Sequence, residues 1–365
     1  MKTSLHHYFD QLPDPRIHRN RKHLLIDIII LSIIAVICGA ESWDSIEMFG
    51  KSKKDFLSKI LKLPNGIPSH DTINRVFSLI RADKFEQLFT QWAQSLKAPG
   101  ISKEVIAVDG KSIRGSKDSY HDKSAIHLVN VWANSNGLVL GQAKTDEKST
   151  EITAIPELLK ILDIEGCIVT IDALGTQRKI AQTIVDLEAD YILAVKENQG
   201  YLKEDVESTF LRQQPDSVDE TVEKGHSRIE TRKCEVINKI DFIDQKEQWA
   251  ELRSLVRITA QREIRDTKTN EVRLYISSVE ADAKEFNSYI RQHWSVENSL
   301  HWILDVTFRE DAQRKRNGKA AQNFALIQKI ALNLLKKEES KRMSLKNKRL
   351  VAAWDDKFLL KILRI

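Results

Sequence analysis

The run Leu24 to Ala40, LLIDIIILSIIAVICGA, constrains this 365-residue chain more than any other stretch. A segment so nearly free of polar residues must leave water, either in a bilayer or in a protein interior. Asp27 sits near its start, the basic RIHRNRKH precedes it, and the polar ESWDS follows at once. It is shorter and more interrupted than a spanning helix, and too deep in the chain for a plain signal peptide. The run is expected as a buried helix of a helical domain, with no membrane partner.

The flanking sequence, residues 1–98, also reads as helical. SWDSIEMFGKSKKDFLSKIL leads to a break at LPNGIP, then to SHDTINRVFSLI and DKFEQLFTQWAQSL. Pro64, Gly66 and Pro68 punctuate the chain, and Ser69 is placed to cap the next helix. A short helix, a tight turn and a helix carrying Asn74 and Arg75 on its polar face is compatible with helix-turn-helix DNA binding. A plain helical bundle fits the same pattern.

At Ile101 the texture changes. VIAVDGK, AIHLVNVWAN and LVLGQAKT are three short apolar or alternating runs. STEITAIPELLKILD reads as a helix, CIVTIDA as a buried strand, TQRKIAQTIVDLEA as a helix and YILAVK as a strand. That order is α/β, with the last two strands parallel to the first. Residues 200–280 break it, with a charged helix near YLKEDVESTFL and strands in HSRIETRKCEVI, LRSLVRITAQREI and EVRLYISS. These are expected to form a β-rich insertion with its own sheet. Helices resume in AKEFNSYIRQHWSVENSLHWIL and AAQNFALIQKIALNLLKK. The organisation so read is a helical domain 1–98, core 101–199, insertion 200–280, remainder of the core 281–338 and a basic tail 339–365.

Charged residues at 30% and hydrophobic residues at 41% exclude a disordered or low-complexity chain. Three scattered cysteines suit neither a disulfide framework nor a zinc site, and imply a reducing compartment. The net charge of +5 matters because it is clustered. Arg314 to Arg349 holds twelve Lys/Arg, among them Lys336, Lys337, Lys341 and Arg342, against two Asp/Glu. Such density suits phosphate neutralisation; the plainer reading is a solvated helical face.

Three carboxylates stand out. Asp109 ends the first strand in VIAVDGKSIRGS, although Asp-Gly there is also a favoured hairpin turn. Asp172 ends another strand in CIVTIDALGTQ, where it could simply start the following turn or helix. Two acids at strand ends of one α/β domain can converge at a sheet edge, where sites form. The third element is HWSVENSLHWILD, in which Glu297, His301 and Asp305 recur every four residues as one stripe. Trp294, His293, His301 and Trp302 crowd Glu297 and are expected to desolvate it. Carboxylates without soft ligands suit magnesium, or manganese in its place, and two such ions about 4 Å apart serve phosphodiester chemistry.

VIAVDGKSIRGS, VTIDALGTQ and HWSVENSLHWILDVTFREDAQR resemble the three catalytic blocks of DDE insertion-sequence transposases, in the branch that includes the H-repeat-associated proteins. FDQLPDPR and LPNGIPSHDTINRVF resemble its N-terminal region, and GHSRIETRKCEV and YISS its insertion, so the likeness is near full length. The resemblance implies a ribonuclease H-like catalytic core with Asp109, Asp172 and Glu297 as catalytic metal ligands, separated by 63 and 125 residues. His301 and Asp305, on the Glu297 stripe, are expected to orient it or a water; the alternative is that Asp305 is the third ligand and Glu297 its supporter. Related transposases carry a Tyr, Arg, Glu and Lys signature around the third acid; here the Arg position holds His293 and the Lys position Leu304, with Tyr289 and Arg291 out of register.

The activity implied is metal-dependent cleavage at element ends and strand transfer into target DNA. A nuclease without strand transfer and a catalytically decayed DNA-binding protein are the alternatives. The implied partners are double-stranded DNA and a second copy of the chain. The implied location is the cytoplasm of a bacterium, on the nucleoid. Asn74 and Arg75 would read the element end, and Lys336, Lys337, Lys341 and Arg342 would contact phosphates.

Overall fold

The computed structural model describes residues 4–98, 103–145, 151–225, 228–240, 243–264 and 267–364. The expected boundary at Ile101, Ser149 and Thr150 of the STEITA stretch, and His226 and Ser227 of the GHSR stretch lie outside them. Six helices come first: α1 (Ser4–Phe9), α2 (Leu25–Ile37), α3 (Trp43–Ser52), α4 (Lys54–Leu57), α5 (His70–Leu79) and α6 (Ala82–Gln94). The apolar run is α2, and it is buried on all sides. Asp27 survives in it because its carboxylate accepts the Leu63 N–H at 2.8 Å, and Ser32 donates to the Ile28 carbonyl one turn back. Among the described residues no helix is long and apolar enough to cross a membrane.

Ser69 caps α5 by accepting the Thr72 N–H, as its position in the sequence implies. The expected break forms a tight turn, in which the Gly66 N–H donates to the Leu63 carbonyl at 2.9 Å, but that turn does not join two helices directly. α4 ends at Leu57 and α5 begins at His70, so a long irregular connection separates them. Leu61 and Ile60 on that connection are buried, which holds it to the core.

The sheet begins with β1 (Val105–Ile113), β2 (Ile126–Ala133) and β3 (Leu138–Thr145), paired antiparallel. Then come α7 (Glu151–Leu159), β4 (Ile168–Ile171), α8 (Arg178–Asp186) and β5 (Asp190–Val195). β4 runs parallel to β1, and β5 parallel to β4, as the element order implies. Next are α9 (Gly200–Arg212), β6 (Ser217–Gly225), β7 (Arg228–Ile237), β8 (Ser254–Ile264) and β9 (Thr267–Ser277). They do not form a separate sheet, contrary to expectation. All strands join one nine-stranded sheet, β3-β2-β1-β4-β5-β9-β8-β7-β6. β9 pairs antiparallel with β5, Ile192 opposite Ser277, and so occupies an edge whose backbone groups would otherwise lack partners. β6, the outer edge, has no apolar alternation to announce it in the sequence and is largely exposed.

The remaining helices are α10 (Ala283–Val296), α11 (Trp302–Val306), α12 (Ala320–Lys337), α13 (Leu345–Trp354) and α14 (Asp356–Ile362), with a π-helical turn at Glu297–His301 between α10 and α11. α12 packs on α2, α5, α6 and β3, so the N-terminal helices and one face of the sheet share a single core. The segment expected as a basic tail carries α13 and α14 and buries Ala352, Phe358, Leu359 and Ile362 in that core. α10 covers the other face, where Phe286 and Ile290 meet Val105, Ile168 and Ile192.

Candidate active site

The sheet face under α10 changes character along β1 and β4. Val105 pairs with Ile168 and Ala107 with Thr170, all on this face by the twofold period of a strand. The next residues of the same parity are Asp109 and Asp172. Regular β1–β4 pairing stops at Val108 and Ile171, so the two carboxylates stand where the parallel strands part. Both are partly accessible, and the Asp172 charge reaches Asp109.

Asp109 does not end its strand. β1 continues to Ile113, with Asp109 opposite Asn130 and Gly110 opposite Val129, so the Asp-Gly pair is no hairpin turn. Gly110 is needed for space: a β-carbon there would lie 2.2 Å from Glu151 Oε1 and 2.6 Å from His127 Nε2. Asp172 combines both readings of its position, for its carboxylate follows β4 and also accepts the N–H groups of Leu174 and Gly175.

α10 is fixed over this edge by His293, whose Nδ1 lies 2.9 Å from Thr170 Oγ1. Burial pushes His293 down to about 4, so the ring is neutral at physiological pH. The helix then passes into the π-helical turn, a feature common at functional sites. The stripe of Glu297, His301 and Asp305 accordingly does not act as one row. His301 Nδ1 lies 3.4 Å from Asp109 Oδ2. Asp305 pairs with Lys111, whose ammonium also lies 2.7 Å from Glu310. Glu297 is exposed, and the expected aromatic desolvation is not found there. Trp302 points outward at 56% exposure, and Trp294 is stacked beneath the Arg273 guanidinium.

The desolvated acid is Asp109. Burial first, then the Asp172 charge, with Glu151 and Glu297 adding, push it up to about 7. Burial also pushes His301 down to about 4, helped by nearby Lys111, so among the described residues no cation answers Asp109 from that side. Lys111 is held by Asp305 and Glu310, and Glu310 is shared with Lys329, fully buried in α12. Negative charge in excess at the strand ends, presented by oxygen donors alone, fits a hard divalent cation. Among the described residues no three His, Cys, Asp or Glu side chains stand ready as a preformed metal cage.

The reading of the sequence missed a second constellation. Ser112 Oγ lies 2.8 Å from His127 Nδ1, and His127 Nε2 contacts Glu151, all beside Gly110. Its one sequence signal is a histidine at an otherwise apolar alternation in IHLVNVWA. The basic cluster also divides. Lys315, Lys329, Lys348 and Arg349 are buried, and Lys348 and Arg349 donate to backbone carbonyls. Lys336 lies over the Trp132 ring and is pushed down to about 8 by burial. Lys341 and Arg342 face outward, while Lys337 is half-buried. On α5, Arg75 is exposed; Asn74 borders a groove that Arg314 and Arg316 also line.

Residues 100–334 match the model of the transposase DDE domain, and residues 6–93 that of the DDE_Tnp_1-associated region. The chain belongs to the DDE transposase family. Among its relatives, "Putative transposase YncI" of Escherichia coli O157:H7 is 44% identical, over 99% of this chain and 94% of that protein. The "H repeat-associated putative transposase YhhI" of Escherichia coli K12 is 41% identical, over 96% and 95%. A piggyBac transposase synaptic complex with hairpin DNA aligns with 99% of this chain and 77% of its own, at 13% identity and a TM-score of 0.46.

Proposed function

We propose that this family member cuts DNA at the ends of an insertion sequence and joins the freed ends to target DNA, using Asp109, Asp172 and Glu297. The observation that carries the reading is the meeting of Asp109 and Asp172 at parting strand ends, with Asp109 pushed up to about 7. Strand order β3-β2-β1-β4-β5, antiparallel and then parallel, supports a ribonuclease H-like core. Asp109, Asp172 and Glu297 would hold the divalent ions, magnesium or manganese. When bound, such ions supply Lewis-acid stabilisation of the attacking and leaving oxygens.

A water oxygen attacks the phosphorus at the element end and the 3′ oxygen leaves. The departing 3′ oxygen takes up a proton and becomes a free 3′ hydroxyl; this then loses that proton and attacks a phosphorus of the target strand, whose bond to its own 3′ oxygen breaks so that this oxygen leaves as a hydroxyl. His301, neutral and beside Asp109 Oδ2, orients that carboxylate; Asp305 holds Lys111 away from it. The partner is duplex DNA, and handling two ends together calls for two copies of the chain. The helical region 1–98 would supply end recognition, with the nucleoid as the place of action.

The test is a labelled duplex carrying the DNA that flanks this gene, incubated with the protein and magnesium. Cleavage and joined product are expected from wild type, and neither from Asp109→Asn, Asp172→Asn or Glu297→Gln. Near-normal cleavage by Asp172→Asn would overturn the assignment; cutting without any joined product would leave a nuclease.

A further inference from the structure

The α10 face of the sheet is apolar where the helix covers it, at Val236, Val256, Cys234 and Ile258. Further along the same strands it turns charged, with arginines and glutamates side by side. Arg232 on β7 faces Ala260 on β8, which faces Glu271 on β9. Arg262 and Arg273 flank this row, two residues along their strands and therefore on the same face. Together with Arg291 and Trp294 of α10 they line a groove of about 790 Å³ that also includes Glu297.

Three of the four arginines are neutralised where they stand. Arg273 is bidentate to Glu271 at 2.7 and 2.8 Å, Arg291 pairs with Glu223, and Arg262 lies 3.8 Å from Glu230. Arg232 differs. It is 7% exposed, and its Nε and Nη1 are buried without a hydrogen-bond partner among the described residues. A buried guanidinium with idle donors is costly to keep; burial dominates, Arg291 and Arg273 add like charge, and Tyr275 and Glu230 offset it only in part. Ala260, opposite it on β8, is half-buried and lines the same groove.

Resting on the transposase reading, we infer that this groove is the path of the DNA strand next to the scissile phosphate, and that Arg232 binds one of its phosphodiesters. A phosphodiester oxygen is the acceptor that planar, paired N–H donors match. The stacked Arg273–Trp294 pair, 4.1 Å from guanidinium to ring, gives the groove a flat wall on the Glu297 side. The residues of β7 to β9 thereby act as a strand guide, in addition to closing the β5 edge.

Binding is measured by fluorescence anisotropy in EDTA, with a fluorescein-labelled 20-mer duplex and its single strand, at several salt concentrations. Arg232→Gln should weaken binding about tenfold or more and flatten the logarithmic salt slope by about one. Its thermal midpoint without DNA should equal or exceed that of wild type, because a buried charge with two unbonded donors has been removed. Arg232→Lys should recover part of the affinity.

Unchanged affinity and slope in Arg232→Gln would overturn the subsite. So would a lowered midpoint in both Arg232→Gln and Arg232→Met, which would make the residue structural. Inorganic phosphate that raises the wild-type midpoint through Arg232, with DNA affinity untouched by the substitution, would mean a free-anion site and would also overturn it. These readouts need no cleavage, so they stand apart from the carboxylate test: normal cutting by Asp109→Asn sinks the transposase chemistry whatever Arg232 does.

Discussion

Replacing Asp109 by Asn should stabilise the protein in a pH-dependent way. The carboxyl moves from an ordinary 3.8 to about 7 on folding, through burial and the Asp172 charge. Between those two values the folded chain holds a proton that the unfolded chain has lost, so wild-type stability falls as pH rises from about 4 to 7 and stays low above that. The full cost to the ionised form is roughly 4 kcal/mol. The side chain is 24% exposed, and solvent screening discounts this to about 2–4 kcal/mol.

Asn cannot ionise and escapes the loss. The gap favouring Asp109→Asn should therefore widen by roughly 1–2 kcal/mol from pH 5 to pH 8, reaching about 3–5 °C in thermal midpoint for a chain of this length. The assay is thermal unfolding in EDTA at both pH values, repeated in magnesium. Magnesium should raise the wild-type midpoint at pH 8 and leave the variant unmoved. A gap that is constant or narrows with pH would refute the placement of Asp109 as a desolvated acid beside Asp172.

Glu310→Gln strands the fully buried Lys329 and should cost about 3–5 kcal/mol in urea unfolding, much of it recovered with Lys329→Met; a change under about 1 kcal/mol would contradict the buried pair. Gly110→Ala drives a β-carbon into Glu151 and His127 and should cost about 1–3 kcal/mol, measured the same way. Neutralising Lys341 and Arg342 should weaken binding to all duplexes and flatten the salt slope, whereas Lys336→Gln should lower the thermal midpoint through its lost contact with Trp132. Replacing Asn74 and Arg75 should reduce the preference for end DNA over random DNA in competition binding, with affinity for random duplex nearly unchanged.

Local pattern alone made α2, the Ser69 cap, the α/β order and the parallel β4 and β5 legible, because apolar periodicity and capping chemistry act within a few residues. Asp172 was readable for the same reason, as an acid directly after a short apolar strand. What local pattern could not carry was pairing and burial between distant segments. β6 pairs through its backbone and offers solvent a charged, non-alternating edge, and the joining of β9 to β5 rests on an edge left open some eighty residues earlier.

For Glu297 and Asp109 the two sources divide. The sequence by itself determined which residues carry the charge, their order along the chain, and the aromatic company of the third acid. Only the tertiary structure decided which acid is desolvated. Asp109 sits inside a strand, against Gly110 and a neutral His301, and meets the Asp172 charge at the parting of two strands, whereas Glu297, on the π-helical turn, is exposed at the groove. A carboxylate's environment is the sum of what every packed element brings within a few ångströms, and spacing along one helix reports only one of those elements.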